Sequence, residues 1–207
     1  MIKKGNFQKS PYVGLFCVMN DNFAIVPKNS SNSFLKLLEG FDVEIIKTNI
    51  AESSLVGVFC CLNNEKIIVP NIAEKEELKK LKDNFREVII LDTSFTAIGN
   101  LMVMNDRGGI CSPLIEKEID GVLKMKIMDT DLCGSLIFAN NSGFVVSKDC
   151  TDEEFKKIEK ILKVPGVKTT INGGDKFVKS GICGNSKGLL VGDNSSGFEL
   201  LNLSEVF

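Results

Sequence analysis

The 207 residues carry 25 basic and 27 acidic side chains, a formal charge of −2, with 43% hydrophobic and 25% charged residues. That is the make-up of a globular chain able to bury a real core. It excludes a protein that grips nucleic acid mainly through phosphates, since the balance is slightly acidic and the only arginines are Arg86 and Arg107. No apolar run approaches the roughly eighteen residues of a membrane span, and no apolar signal segment follows Met1.

In chain order, an N-terminal strand is expected over 1–9, around Phe7. A phrase then begins that returns along the chain: a glycine, an apolar run, an asparagine turn, a second apolar run and a breaker. Gly14 leads to Asn20 and Pro27, and Phe34, Leu37 and Leu38 then mark a helix before a strand over 43–46. Gly57 opens the second copy. Its apolar run 58–62, turn at Asn63 and run 67–69 stopped by Pro70 predict a hairpin. A charged helix follows with Leu78, Leu81 and Phe85 on one face, then a strand over 88–91.

Gly99, Asn105 and Pro113 mark the third copy, with a helix expected on Ile115, Ile119, Val122 and Leu123 and a strand over 124–128. In the fourth, Gly134 leads to Asn140 and Ser147. Thr151 with Glu154 forms a capping box for a helix carrying Phe155, Ile158, Ile161 and Leu162, and a strand follows over 167–171. The fifth copy is damaged. Asn185, Gly188 and Gly192 are in place, but Gly181 lies only four residues before Asn185, and the glycine slot counted back from Asn185 holds Lys179. A strand is expected over 198–203.

A period of about forty residues over a whole chain means one supersecondary unit, stacked or closed in a ring. The unit is ββαβ, in repeats near 10–50, 53–93, 95–130, 131–172 and 176–207, with 1–9 as an extra strand. One unit cannot cover its own sheet. Both ends look like strands rather than polar caps, so closure is expected, with the termini meeting in the fifth unit of a single domain over 1–207. Asn-x-x-Gly at Asn105, Asn140 and Asn185 suits a type I turn ending in positive φ.

The phrases Ser54-Leu55-Val56-Gly57, Ala97-Ile98-Gly99-Asn100-Leu101, Leu132-Cys133-Gly134-Ser135, Thr170-Ile171-Asn172-Gly173-Gly174, Asn185-Ser186-Lys187-Gly188 and Ser196-Gly197-Phe198-Glu199-Leu200 run through the chain in one order. Together they resemble the archaeal and eukaryotic translation initiation factor 6 family, which acts as a ribosome anti-association factor. The resemblance implies the pentein or α/β-propeller fold, five repeats about a pseudo-five-fold axis. It also implies a cytoplasmic protein that binds the large ribosomal subunit and keeps the small subunit from joining. The partner would be a ribosomal protein, with adjacent rRNA contact, and the chain a monomer that engages neither DNA nor membrane.

Other pentein proteins are guanidino-modifying hydrolases or transferases, and that is the alternative activity. The absence of histidine argues against it, removing the best proton-transfer side chain, a Cys–His nucleophile pair and the commonest zinc ligand. Seven cysteines without Cys-x-x-Cys spacing read as reduced thiols, mostly in apolar runs. Asp92, Asp129 and Asp131 end strands, where they could pair with lysines. No catalytic residue, metal site or cofactor is assigned.

In a closed ring the residues after each leading glycine form one circle and the asparagine turns another. Leu15, Val58, Asn100 and Ser135 make up the first. It is the expected contact rim, because Asn100 is polar where Leu15 and Val58 are apolar, and the resemblance points to Gly99 and Asn100. The glycines also fit a purely structural demand, close strand contact that forbids a side chain.

Overall fold

The structure, a computed structural model, describes residues 1–207. It contains five three-stranded sheets, four of them each built by one copy of the phrase and the fifth completed by the N-terminal strand. Strand β1 (Ile2–Gly5) comes first. Unit one is a single helical turn α1 (Val13–Phe16), a hairpin β2 (Val18–Met19) and β3 (Phe23–Val26), a helix α2 (Asn32–Leu37) and β4 (Glu44–Lys47). Unit two repeats this as α3 (Val56–Phe59), β5 (Cys61–Leu62), β6 (Lys66–Pro70), α4 (Lys75–Asn84) and β7 (Glu87–Leu91). Unit three has α5 (Ile98–Leu101), β8 (Met102–Asn105), β9 (Gly108–Cys111) and β10 (Val122–Lys124). Unit four has α6 (Cys133–Leu136), β11 (Ile137–Ala139), β12 (Phe144–Ser147), α7 (Asp152–Leu162) and β13 (Gly166–Thr169). Unit five has a 3-10 turn (Val178–Gly181), β14 (Ile182–Asn185), β15 (Gly188–Gly192) and α8 (Gly197–Leu203).

In every unit the hairpin is antiparallel and the third strand joins parallel to its second strand. The fifth unit takes that third strand from the other end of the chain. β1 pairs parallel with β15, from Ile2 opposite Leu189 to Gly5 opposite Gly192. The N-terminal strand thus joins unit five, where it supplies the third strand expected over 198–203 rather than an extra one.

Four sequence expectations need correction. The residues just after each leading glycine are a helical turn rather than the start of a strand, so the apolar run 58–62 divides into α3 and β5. Residues 198–203 form helix α8, because Ser196 and Glu199 close a capping box over Leu200 and Leu203. Unit three has no helix between β9 and β10. Ile115 and Ile119 are buried at helical spacing, but Pro113 opens a turn in which the Ser112 hydroxyl accepts from Leu114 N, and Gly121 at φ 74° reverses the chain. Its third strand accordingly comes early, at β10 rather than over 124–128.

The buried apolar side chains fall into five clusters, each shared by two units. Ile25 and Ile46 of unit one pack with Ile67, Val69 and Leu81 of unit two. Ile68 and Leu91 pack with Ile98 and Met102, Val103 and Ile110 with Ile137 and Phe144, and Val145 and Val167 with Val178 and Leu189. The fifth cluster joins Cys183 and Leu190 of unit five to Val13, Ala24 and Phe34 of unit one. Alternate residues of each strand thus serve the two neighbouring interfaces, as a period of two requires. No helix is long and apolar enough to cross a membrane.

Three of the linkers between units are clasped by a carboxylate from the next unit's helix. Glu77 accepts from Ala51 N at 2.7 Å, Glu52 N at 3.0 Å and its own cap residue Glu74 N at 2.9 Å. Glu154 accepts from Met128 N and Thr151 N, and Glu199 from Gly173 N, Gly174 N and Ser196 N. One side chain thereby caps a helix and holds a linker whose residues adopt positive φ: Ala51 and Glu52, Met128 and Asp129, Asn172 and Gly173. Each clasped linker feeds the helical turn of its unit, so these carboxylates position the turns described next.

Candidate binding site

The five helical turns touch one another in the order of the units, and the 3-10 turn of unit five also touches α1. Their residues correspond position by position. The residue before each turn is apolar: Tyr12, Leu55, Ala97, Leu132 and Phe177. The second position is Gly14, Gly57, Gly99, Gly134 and, in unit five, Lys179. The third is Leu15, Val58, Asn100, Ser135 and Ser180.

Gly57, Gly99 and Gly134 lie against a turn carbonyl of the preceding unit. A Cβ on Gly134 would stand 2.5 Å from Gly99 O, one on Gly99 would overlap Gly57 O and come 2.7 Å from Cys60 O, and one on Gly57 would overlap Gly14 O. On Gly14 it would overlap Lys179 O and stand 2.5 Å from Ile182 O. The steric demand expected of these glycines is therefore present, between helical turns rather than strands.

A cavity of about 340 Å³ opens among these turns. Leu15, Asn100 and Ser135 line it together with Tyr12, Leu132, Phe177, Asp175, Ser180 and Lys179. Of the five residues singled out from sequence, these three share one space. Gly99 lies beneath, buried, contributing its carbonyl, and Val58 is half-buried on α3 without lining the cavity. Sequence reasoning missed Tyr12, Leu132, Phe177 and Ser180, although their repeat positions would have pointed to them. It registered Lys179 only as a departure from pattern.

Lys179 is the centre of the site. Its Nζ donates to Gly57 O at 2.9 Å and Gly99 O at 2.7 Å, so a side chain from unit five reaches the turns of units two and three. Burial pushes its pKa below the ordinary lysine value. Below it lies a small apolar void of about 50 Å³ walled by Cys17, Cys60, Cys61, Cys183, Met102 and Met104 among others, which Lys179 also lines. All seven cysteines are buried and free. Burial pushes the Cys61 and Cys133 thiols up to about 12, leaving them neutral near pH 7. Asp131 does meet a lysine, Lys126 at 3.2 Å, while Asp92 accepts from Asn71.

The asparagine turns, at the other end of the hairpins, are self-contained. Asn20, Asn63, Asn105 and Asn140 each donate Nδ2 to the carbonyl of the next asparagine, at 2.7–3.2 Å, and Asn185 donates to Phe41 O. In all but the last, Oδ1 takes the two following turn amides. A second row passes from Asp21 N to Asn64, Asn64 N to Asp106 and Asp106 N to Asn141, while Ser186 N donates back to Asp21 at 2.8 Å. These polar groups are spent on one another, and only about 20 Å³ of space remains there.

The comparisons with known proteins bear on which proteins are built this way. A family model described as the eIF-6 family matches residues 2–206. The chain belongs to that family. It is 32% identical over 208 residues to the translation initiation factor 6 of Staphylothermus marinus, covering 94% of this chain and 92% of that protein. The translation initiation factor 6 of Sulfolobus acidocaldarius is likewise 32% identical, covering 94% and 93%. That of Methanosphaerula palustris is 29% identical and covers the whole chain. These relatives are translation initiation factors, a family without enzymatic activity, and membership supports a role in translation initiation for this chain.

Proposed function

We propose that the chain binds the large ribosomal subunit on its subunit-joining face and prevents the small subunit from associating by occupying its volume. The observation that carries this is the contrast between the two ends of the axis. The asparagine end spends its polar groups internally, whereas the glycine end presents a cavity lined by Leu15, Asn100 and Ser135 inside a rim of Tyr12, Leu132 and Phe177. Apolar anchors around a concave centre are what a protein partner needs, with a few buried contacts carrying most of the affinity. We assign Leu15, Val58, Gly99, Asn100 and Ser135 to this contact, made chiefly with a ribosomal protein and with rRNA alongside.

The same reading takes the five units as one closed pentein domain over 1–207, a monomer acting in the cytoplasm without cofactor. The cyclic sharing of the five apolar clusters supports closure. Sedimentation tests the function. The protein should co-migrate with large subunits and lower the fraction of joined ribosomes. Asn100→Ser should weaken co-migration, and Lys156→Glu on the outer helix α7 should not. A wild-type protein that migrates with neither subunit overturns the reading.

A further inference from the structure

The cavity holds a lysine that has no ion-pair partner. Lys179 occupies the slot that four other units fill with glycine, and it takes part in none of the ion pairs of the molecule. An ammonium has three donors, and Gly57 O and Gly99 O take two of them. The nearest ionisable groups acting on it are thiols of Cys60, Cys61, Cys133 and Cys183, all held protonated by burial. Asp175 lines the same cavity, but its carboxylate accepts from Phe177 N at 2.9 Å and lies outside ion-pairing distance of Lys179. A partly buried charge left without a counterion is disfavoured, and a bound anion relieves that cost.

The neutral polar groups of the cavity are also unengaged. Asn100, Ser135 and Tyr12 line it, and their side chains make no hydrogen bond within the chain. Ser180 is the exception, its hydroxyl donating to Phe177 O. One free ammonium donor, one amide and two hydroxyls around about 340 Å³ form a receptor for an anion with a short apolar stem, the stem lying against Leu15 and Leu132.

We propose that this cavity is a carboxylate-binding site, with Lys179 taking the carboxylate and Asn100 and Ser135 its remaining lone pairs. The source is either an acidic side chain or chain terminus of the docked protein partner, which rests on the function proposed above, or a free small carboxylate, which does not.

The chain reports on this cavity directly, because Tyr12 is its only tyrosine and it has no tryptophan. Tyrosine fluorescence is followed while wild-type protein is titrated with glutarate, with a short tyrosine-free peptide ending in a free carboxylate, and with the same peptide ending in an amide. The expected result is a saturable change with a carboxylate, at least about tenfold tighter than with the amide, as a charge-assisted hydrogen bond implies. It should be lost in Lys179→Gly, which restores the residue of the other units, and in Lys179→Met, both checked as folded by circular dichroism. A response to glutarate equal to that of the peptide assigns the site to a free carboxylate, and a response to the acid peptide alone assigns it to a partner. No saturable change in wild type, equal affinity for acid and amide, or an unchanged response in both variants overturns the proposal. A silent titration with intact co-sedimentation removes only this site. Failed co-sedimentation with a positive titration removes only the docking role.

Discussion

Replacing Gly14 with alanine sets two physical effects against each other. Gly14 lies in the helical turn α1, and its backbone is not in the left-handed region, so alanine is conformationally permitted. Loss of chain entropy alone would stabilise the variant by about 0.5–1 kcal/mol. The added carbon, however, overlaps Lys179 O and stands 2.5 Å from Ile182 O, both backbone atoms of unit five. Ordinary contact demands that the two turns separate by about an ångström, in an interior packed as densely as a crystal. Overpacking costs about 1–3 kcal/mol when side chains can yield, and here the obstacles are carbonyls that cannot rotate away. Taking about 3 kcal/mol and subtracting the entropic gain leaves a net loss of at least about 2 kcal/mol. For a chain of this size that is a fall of about 4–8 °C in melting temperature. Thermal melts by far-ultraviolet circular dichroism measure it. Gly197→Ala is the control, since nothing lies within 4 Å of its added carbon, and it should melt at or slightly above the wild-type temperature. A Gly14→Ala protein as stable as wild type would mean that units one and five do not meet as described.

Lys179→Met should reveal a pH dependence of stability. The folded-state pKa of Lys179 lies below its unfolded value of 10.5, so between the two the unfolded chain binds more protons and stability rises with pH. Above pH 9 the thiols act oppositely, since Cys111 at about 11 and Cys61, Cys133 and Cys150 at about 12 keep protons that the unfolded chain releases. The Lys179 effect is therefore read as the difference between variant and wild type in urea unfolding from pH 7 to 10. Any advantage of the variant should shrink as pH rises, and a flat difference refutes the assignment. At the acid end, burial would raise the pKa values of Asp21, Glu154 and Glu199. Hydrogen bonds outweigh it: Ser186, Asn64 and Asn141 on Asp21, Thr151 and Met128 on Glu154, Ser196, Thr170 and Gly173 on Glu199, holding all three below their ordinary values. Their stabilisation is complete above about pH 4.5 and is lost as pH falls through the depressed values, so melting temperature should drop there, and less steeply in Glu154→Gln. Finally, the seven buried thiols should be silent to a thiol reagent in the native protein and all titrate in guanidinium. A native protein with rapidly reacting thiols contradicts their burial.

The repeat was legible because its signals are local. An asparagine whose side chain closes its own turn, and a hairpin stopped by proline, need nothing beyond a dozen residues, and β5 to β6 and β8 to β9 follow from them. The same locality made Thr151 with Glu154 readable as a helix start. What was not legible depends on neighbours in space. Residues Val56–Phe59 look like strand by composition, yet the turn they make is held by the unit before them. Ile115 and Ile119 have helical spacing without a helix, since burial under a proline-initiated loop leaves the same apolar mark. The second duty of Glu77, clasping Ala51 and Glu52 some 25 residues earlier, leaves no trace in a helical pattern. The cavity was half legible. Counting along the repeat located Leu15, Asn100 and Ser135, but only the structure shows that the lysine standing in a glycine's place reaches the turns of units two and three.

The division of labour between the two ends follows from where the five copies stay alike and where they differ. At the asparagine end all five carry the same residue, because each side chain donates Nδ2 to a main-chain carbonyl of another unit while its Oδ1 accepts from an amide of its own turn. Sameness there is the condition of packing, and it leaves nothing over for a ligand. At the glycine end the second position must be small wherever a neighbouring carbonyl occupies the space of a Cβ, which holds for four units. The third position is under no such demand, and there the copies diverge into Leu15, Val58, Asn100, Ser135 and Ser180, all but Val58 lining the cavity. A single lysine in the second position then departs from the repeat and ties unit five to the turns of units two and three. Five identical copies would offer five equivalent faces, and these differences make them distinguishable.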